Sequence, residues 1–303
     1  MKTNRFVQPG LLACLLALAA PRPAVAGLHI HLTYNPFLGS PPAPGIMAGG
    51  GDIQDIMQAA AEAWERVFEQ GSDWDLTVEF GWTPLRNNLY GQEAMGAQGG
   101  DPVRIQTTLI LFNNDPILTE GVEGYFADPT PRDNSKYQRY TTFEETVDKK
   151  KVNYGRVFSE ATGDAAHRID LLTIATHEIG HALGLDQAYV GQTRIDSGIW
   201  VVPTSPPKYR GLHLTINLGT QHIESPTCLM SPSNPGERKL ITVADALVLS
   251  RLSLIDRPNL KDPTKGPRIT SRPPYSHRPG EGFSRLSWLL LRKKLEAGDL
   301  LAC

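Results

Sequence analysis

The sequence predicts an α/β fold of the α+β kind, with helices packed on a mixed β-sheet. Amphipathic helical patterns and short strand-like patterns follow one another along the chain, which is typical of such folds. Apart from the N-terminal segment, no stretch is long and apolar enough to cross a bilayer. We therefore expect residues 27–256 to form the folded body, with a buried core and no membrane span.

Four segments have the pattern of β-strands. Apolar and polar residues alternate in residues 27–34, 76–80 and 212–218, so that one face of each strand is apolar. Residues 107–112 are mainly apolar, which indicates a strand buried on both faces.

Three segments have the pattern of α-helices. Residues 53–68 carry an apolar stripe at helical spacing. Residues 170–184 begin with an aspartate that suits an N-cap and end at a glycine, and residues 242–254 form a last amphipathic segment.

Some segments carry only weak signals. Residues 81–101 and 126–151 show no period, and we expect irregular chain there. His29 and His31 lie on the polar face of the first predicted strand. A surface position explains such a pair more simply than a metal site does.

The first 26 residues have the pattern of an export signal. A basic start precedes an apolar run at residues 11–20, and residues 24–26 form a small-x-small cleavage site. The run is too short for a membrane span. Cleavage after this site would give a secreted or periplasmic protein. A lipoprotein modified at Cys14 and a retained membrane anchor are the alternatives.

Charge is distributed unevenly along the chain. Residues 27–256 contain 17 Lys and Arg against 28 Asp and Glu, whereas residues 257–303 contain 10 against 4 and many prolines. An acidic body argues against a nucleic-acid partner. The basic, proline-rich segment has too little apolar surface to offset the entropy of ordering it, so we expect a disordered tail.

The helix predicted to begin at Asp170 carries the pattern HExxH in residues 177–181. Residues four apart on a helix lie one above the other, so the imidazoles of His177 and His181 point the same way and can bind one zinc ion. Glu178 lies beside the first ligand, where it can contact a metal-bound water rather than the metal. A buried helix that carries two histidines by chance is the alternative interpretation.

Residues 177–186 resemble the active-site helix of the metzincin zinc peptidases, and their sequence is most like that of the matrixins. These families extend the motif to HExxHxxGxxH and have a Met-turn further along the chain. Gly184 matches the glycine of that pattern, and residues 229–232 resemble the Met-turn around Met230. The resemblance implies a twisted mixed sheet with packed helices, a zinc cleft, and a methionine that packs beneath the ligands without binding the metal.

The third ligand departs from the metzincin pattern. The pattern places it three residues after Gly184, where this chain has Gln187, a poor zinc ligand. In the matrixins the third histidine precedes the Met-turn methionine by eight residues, and His222 precedes Met230 by eight. The resemblance therefore implies His222 as the third zinc ligand, after an insertion like the one in leishmanolysin-like metzincins.

Three other residues stay open as candidates for the third ligand. His213 has the simpler interpretation of a surface position on a strand, and Asp186 or Glu224 would supply a carboxylate instead of an imidazole. A gluzincin-type enzyme would take a glutamate from a later helix, but Gly184 and Met230 argue against that type.

The resemblance implies a secreted hydrolase: a zinc-dependent endopeptidase, or metalloprotease, in which Glu178 is the general base toward a zinc-bound water. We expect protein or peptide substrates, Zn2+ as the cofactor and a monomeric enzyme. Tyr189 and Tyr209 are candidates for stabilising the oxyanion, although no pattern selects them. The alternative function is a catalytically weak or inactive secreted binding module on a metzincin scaffold. Gln187 supports that alternative, and the intact Glu178 argues against it.

Overall fold

The computed structural model of the protein describes residues 27–35, 47–70, 73–85, 89–114, 122–195, 198–202, 206–256 and 258–261. The predicted export signal and most of the predicted tail lie outside these residues. Within them the chain has a mixed α+β fold, which confirms the predicted fold class. None of the helices in these ranges is long and apolar enough to cross a bilayer.

Three α-helices lie in the described part of the chain: α1 Ile53–Val67, α2 Leu171–Ala182 and α3 Val243–Leu252. Each begins beside a side chain that accepts hydrogen bonds from its first backbone N–H groups. Asp52 caps α1 and Asp170 caps α2, while Thr242 and Asp245 form a capping box at α3. All three helices agree with the sequence prediction, including the N-cap of α2.

Thirteen strands lie in the same ranges, several of them only two or three residues long. They are β1 Leu28–Tyr34, β2 Met47–Ala48, β3 Trp74–Thr83, β4 Gly91–Gly99, β5 Arg104–Asn113, β6 Tyr125–Phe126, β7 Tyr137–Val147, β8 Lys150–Ala161, β9 Ile169–Asp170, β10 Ile199–Val201, β11 His213–Asn217, β12 His222–Ile223 and β13 Arg238–Lys239. Among the described residues they form one four-stranded sheet and three three-stranded sheets.

The four-stranded sheet is the main sheet, with strand order β1-β3-β5-β4. β1, β3 and β5 are parallel, whereas β4 at the edge runs antiparallel to β5. α1 and α2 pack together, and the indole N–H of Trp64 in α1 donates to the Thr176 carbonyl of α2 at 2.8 Å. Because α2 also packs against β4, the edge strand lies next to the helix that carries residues 177–181.

Two segments that the sequence predicts to be irregular are strands. β4 lies within residues 81–101, where glycine and glutamine give no apolar alternation, and hydrogen bonding to β5 fixes its position. β7 and β8 form a long antiparallel hairpin that overlaps residues 126–151. Since β7 is largely exposed, its sequence has no buried face to produce a pattern. Pairing with a neighbouring strand, rather than burial of one face, makes these segments extended.

The folded body extends slightly past the predicted boundary at Asp256. The backbone N–H of Asn259 donates to the Val67 carbonyl at 2.6 Å, and Leu260 packs against the core. Residues 258–261 therefore lie against the end of α1. The prediction of disorder for residues 262–303 lies outside the described residues.

A buried ion cluster centred on Arg238 fixes the start of α2. The guanidinium is fully buried and contacts Asp128 at 2.9 Å and Asp170 at 2.8 Å. It also lies over the Tyr137 ring, 4.9 Å from the ring centroid. Burial by itself lowers the pKa of Arg238, but the charge of Asp170, together with Tyr137, the hydrogen bond to Asp170 and the charge of Asp128, outweighs this, and the net pKa is raised. Since Asp170 also caps α2, the cluster joins the start of this helix to the segments that contain Asp128 and Arg238.

Replacing Arg238 by methionine should destabilise the fold strongly. The carboxylates of Asp128 and Asp170 would stay buried without their cation, a loss that typically costs about 3–5 kcal/mol. The free energy of unfolding in urea measures this effect. Arg139→Met is the matched control, because the Arg139–Glu160 pair is exposed and such pairs contribute only about 0–1 kcal/mol. Similar losses in the two variants would contradict the role given to the buried cluster.

Candidate metal centre

Three histidine side chains meet at one point in the fold. His177 and His181 lie one turn apart on α2, and His222 begins β12. The Nε2 atom of His177 lies 3.0 Å from that of His181 and 3.2 Å from that of His222. All three side chains are buried, and their candidate ligand atoms lie within 4.8 Å of one another. In the described part of the chain, this is the one group of three or more potential ligands that could hold a metal ion.

Backbone carbonyl groups fix the orientation of two of these rings. The Nδ1 atom of His177 lies 2.7 Å from the carbonyl oxygen of Leu229, and that of His181 lies 2.7 Å from the carbonyl oxygen of Leu185. A carbonyl oxygen only accepts, so each Nδ1 carries the hydrogen and donates it. The lone pairs are then on the Nε2 atoms, which face the common centre. Histidine ligands in metal sites are oriented by hydrogen bonds of this kind.

Burial keeps the three histidines neutral. It lowers the pKa of His177 well below its ordinary value, that of His181 to about 3 and that of His222 to about 4. The neighbouring imidazoles add to the effect for His177 and His181, and the charge of Lys239 adds to it for His177 and His222. Neutral imidazole is the form that binds a metal, so the site is ready for one at neutral pH.

The donor set fits a transition metal. Three imidazole nitrogens around a tetrahedral ion leave a fourth position for water, as in catalytic rather than structural zinc sites. Imidazole also binds copper, iron and nickel, so these donors do not single out zinc. The three histidines support a metal ion as the cofactor. Its assignment as Zn2+ is a proposal that we take up below.

A tight turn between β11 and β12 presents His222. Asn217 and His222 pair across the two strands, and the side-chain oxygen of Asn217 accepts the backbone N–H groups of Gly219 and Thr220. Gln221 has a φ of 58°, in the left-handed region. The turn reverses the chain so that its next residue, His222, meets the histidines of α2.

The other candidates for the third ligand are not part of the histidine group. His213 is exposed on β11, and Glu224 is exposed just after β12. Asp186 is buried, and its Oδ1 accepts the Ala188 N–H at 2.6 Å. The structure therefore brings together the three histidines that the sequence and the resemblance indicate.

Gln187 occupies the position that the short metzincin pattern gives to histidine. Its Nε2 donates to the carbonyl oxygen of Gly219 at 3.0 Å, within the turn that presents His222. A second amide contact lies in the same region, from Nε2 of Gln192 to Oε1 of Gln221. These amide contacts hold the segment between Gln187 and His222 together, so Gln187 supports the third histidine without acting in its place.

The segment that resembles the Met-turn packs against the ligand helix. Met230 is fully buried, and a Cβ atom added to Gly180 of α2 would collide with its sulfur. Asp245 of α3 accepts the backbone N–H groups of Leu229 and Met230, each at 3.0 Å. The Met230 carbonyl in turn accepts the N–H of Ile223 in β12 at 2.6 Å. The turn therefore connects α2, α3 and the strand that carries the third histidine.

Glu178 is fully buried between α2 and the edge strand β4. A Cβ atom added to Gly91 of β4 would lie 2.6 Å from its Oε1, so the carboxylate lies directly against the strand backbone. Glu178 also lies within electrostatic reach of Tyr125 and Glu93. Sequence reasoning missed Gly91 and Glu93, because a strand without apolar alternation gave no sign that it lies beside the motif.

The two tyrosines considered for the oxyanion, and His29 and His31, lie outside the histidine group. Tyr189 is buried and donates its hydroxyl to the Val103 carbonyl at 2.8 Å, so it anchors the segment after α2. Tyr209 is buried as well. His29 and His31 contact aspartates near the surface and are not part of the histidine group. These contacts add no argument for a role of either tyrosine at the oxyanion.

Comparisons with known proteins add no assignment. No protein-family model matches the chain, and neither a curated protein nor a solved structure matches it significantly. Function must therefore be argued from the site itself.

His222→Ala should lose the bound metal, and Gln187→Ala should keep it. Removing one of three ligands should weaken metal binding far more than the about 10- to 100-fold typical of residues that only support ligands. Gln187 contributes a single exposed hydrogen bond, so its loss should matter much less. Zinc content after dialysis measures both, with His213→Ala and Asp186→Ala for comparison. Stoichiometric zinc in His222→Ala, together with loss of zinc in one of those two, would identify that residue as the ligand.

Proposed function

We propose that the protein is a zinc-dependent endopeptidase of the metzincin type. The observation that carries this proposal is the convergence of three imidazole Nε2 atoms, two of them from α2, the helix that also carries the buried Glu178. A purely structural metal site has no use for that carboxylate, whereas hydrolysis needs a general base at this place. Three protein ligands and an adjacent base are the parts of a metal-dependent hydrolase.

The three histidines and Glu178 would have different roles in the reaction. His177, His181 and His222 would hold the metal through their Nε2 atoms. When bound, zinc would acidify a water molecule and polarise the scissile carbonyl group. Glu178 would take the proton from the attacking water and deliver it to the leaving amine. Its position against Gly91, away from bulk solvent, keeps the carboxylate in one place for both transfers.

The edge strand supports a peptide as the substrate. β4 is the terminal strand of the main sheet in the described residues, and it packs against α2. An extended peptide can add to such an edge through backbone hydrogen bonds. Because Gly91 at the start of β4 touches Glu178, a peptide bound along β4 would pass the catalytic carboxylate. Backbone pairing depends little on the sequence of the peptide, which suits an endopeptidase.

Three features support the metzincin type in particular. Gly184 has a φ of 132°, a conformation that favours glycine, and it follows the end of α2 where the metzincin pattern turns. Met230 packs against Gly180 of the ligand helix. The third histidine comes from β12 and not from a later helix, which favours this type over the gluzincin type. The segment between Gln187 and His222 would correspond to the insertion of leishmanolysin-like metzincins.

Export is part of the proposal. The pattern of residues 1–26 supports a secreted or periplasmic enzyme. The acidic charge of residues 27–256 argues against nucleic acid as a partner, and we propose that a monomer acts on protein or peptide substrates.

A binding module that has lost activity is the second candidate function. Gln187 is the sequence feature that favours it. The hydrogen bond from Gln187 to Gly219 gives this glutamine another role, so its presence is a weaker sign of a lost site. Glu178, which a binding module does not need, is buried on the helix that carries His177 and His181.

Glu178→Ala should abolish peptide cleavage while keeping the metal and the fold. Loss of a general base typically costs about 10²- to 10⁴-fold in rate. Glu178 is not one of the three clustered histidines, so the zinc content should not change. Casein cleavage by the purified mature protein, with and without a chelator, gives the reference. Near-wild-type cleavage by Glu178→Ala with zinc retained would favour the binding module.

Gly91→Ala should lower kcat without removing the metal. The added methyl group would lie 2.6 Å from Oε1 of Glu178 and 2.7 Å from the Ile174 side chain, so the carboxylate must move. A displacement of about 1 Å can cost about 10²-fold in rate. Gly99→Ala on the same strand is the control, because its methyl group would meet only the flexible Gln106 amide at 3.2 Å. Equal rates for the two variants at equal zinc content would show that β4 does not position the base.

A further inference from the structure

Two buried acidic side chains near Glu178 have no part in the proposed mechanism. Glu93 of β4 is 2% exposed, and Asp186, in the turn after α2, is 5% exposed. Gly91 and Glu93 are two residues apart on a strand, so both lie on the face that meets α2. Acidic side chains are almost never fully buried unless they are paired, so this pair must serve the structure or the reaction.

The surroundings of Glu93 favour one proton held between the two carboxyl groups. Thr108 donates its hydroxyl to Oε1 of Glu93. Oε2 of Glu93 is buried and receives no hydrogen bond from the residues that the structure describes. The carboxyl group of Asp186 lies within hydrogen-bonding reach of Glu93. Two ionised carboxylates have no hydrogen to share, so one of the two groups carries a proton.

Glu93 is the group that carries it. Asp186 already accepts the Ala188 N–H at 2.6 Å, so its Oδ1 has a donor. The pKa of Glu93 is raised well above 4.5, first by burial, then by the charge of Asp186 and least by that of Glu178. Protonated Glu93 can donate to Asp186 while it accepts from Thr108, which satisfies both of its oxygens.

We propose that Glu93 is a positioning residue, a neutral carboxylic acid that donates to Asp186 and so holds the turn after α2 against β4. Asp186 directly follows Leu185, whose carbonyl orients His181. A shift of Asp186 would therefore shift the carbonyl that holds a candidate metal ligand.

A second contact ties the same turn to β4. Gln98 donates to the Ala188 carbonyl at 3.0 Å, and its own oxygen accepts the Val190 N–H at 3.0 Å. At the other end of the strand, Gly91 touches Glu178. Through Gln98, β4 thus contacts the turn whose Leu185 carbonyl orients His181. Through Gly91, it contacts Glu178 directly. The expected effect on catalysis rests on the proposed function, whereas the effects on metal binding and stability do not.

Two substitutions of Glu93 separate positioning from packing. Glu93→Gln keeps a donor toward Asp186 and an acceptor toward Thr108, so kcat and the zinc affinity, measured by competition with a chelator, should stay near wild type. Glu93→Leu removes both groups, and both quantities should fall about 10- to 100-fold with little change in KM. Glu79→Gln, at a buried glutamate of β3, is the matched control and should leave both unchanged.

The proton on Glu93 gives a measurement that packing alone would not change. A carboxyl group whose pKa is raised on folding contributes stability that is complete at low pH. This stability is lost as the pH rises from the unfolded pKa of 4.5 toward the folded pKa. Glu93→Gln has no such proton to lose. Its Tm minus the wild-type Tm should therefore increase as the pH rises above about 5. Asp186 and Glu178, which face Glu93, are present in both proteins.

The results distinguish this proposal from the proposed function. If the wild type binds zinc but cleaves no peptide, the peptidase proposal fails, and the zinc affinities and Tm values still decide the role of Glu93. The positioning role is overturned if Glu93→Gln loses zinc affinity as strongly as Glu93→Leu, if Glu93→Leu keeps wild-type affinity, or if the Tm difference does not change with pH. Should Glu93→Leu fail to fold, the pH series on Glu93→Gln decides alone.

Discussion

A neutral imidazole has one N–H and one lone pair, and burial requires that both find partners. In this protein the carbonyls of Leu229 and Leu185 accept the N–H groups of His177 and His181, so both lone pairs turn toward one point. Leu229 lies in the turn that contains Met230, and Leu185 lies in the turn after α2. The metal-binding geometry therefore exists only when both turns are folded against the helix, and much of the surrounding structure holds them there.

Different contacts hold the two turns. Asp245 of α3 binds the backbone of the Met230 turn, and the buried Lys239 donates to Ser231 Oγ at 2.8 Å just beyond it. Gln98 of β4 donates to the Ala188 carbonyl in the turn after α2. Gln187, in the same turn, donates to the Gly219 carbonyl in the loop before β12. The contacts of the Met230 turn involve buried polar groups, which are costly to leave without partners. Small displacements of this turn are therefore resisted, and the Leu229 carbonyl keeps its contact with His177.

Much of the fold and part of the site could be predicted from local patterns. The three helices follow from apolar spacing and from capping residues such as Asp170, which act within one turn of chain. The strands with one buried face were equally clear. β4 and the β7–β8 hairpin were not predicted, because pairing with another strand defines them and their own side chains do not alternate. Such pairing is a property of two segments, and a pattern in one of them does not reveal it.

The sequence by itself determined that His177, Glu178 and His181 lie close together on α2, because the geometry of a single helical turn places them. It also indicated His222, but only through a spacing shared with a known family. The tertiary structure alone decided that His222 meets the helix, and that Glu93 lies within electrostatic reach of Asp186 and Glu178. These contacts join segments far apart in the chain. They depend on how turns and strands pack together, which no local spacing encodes.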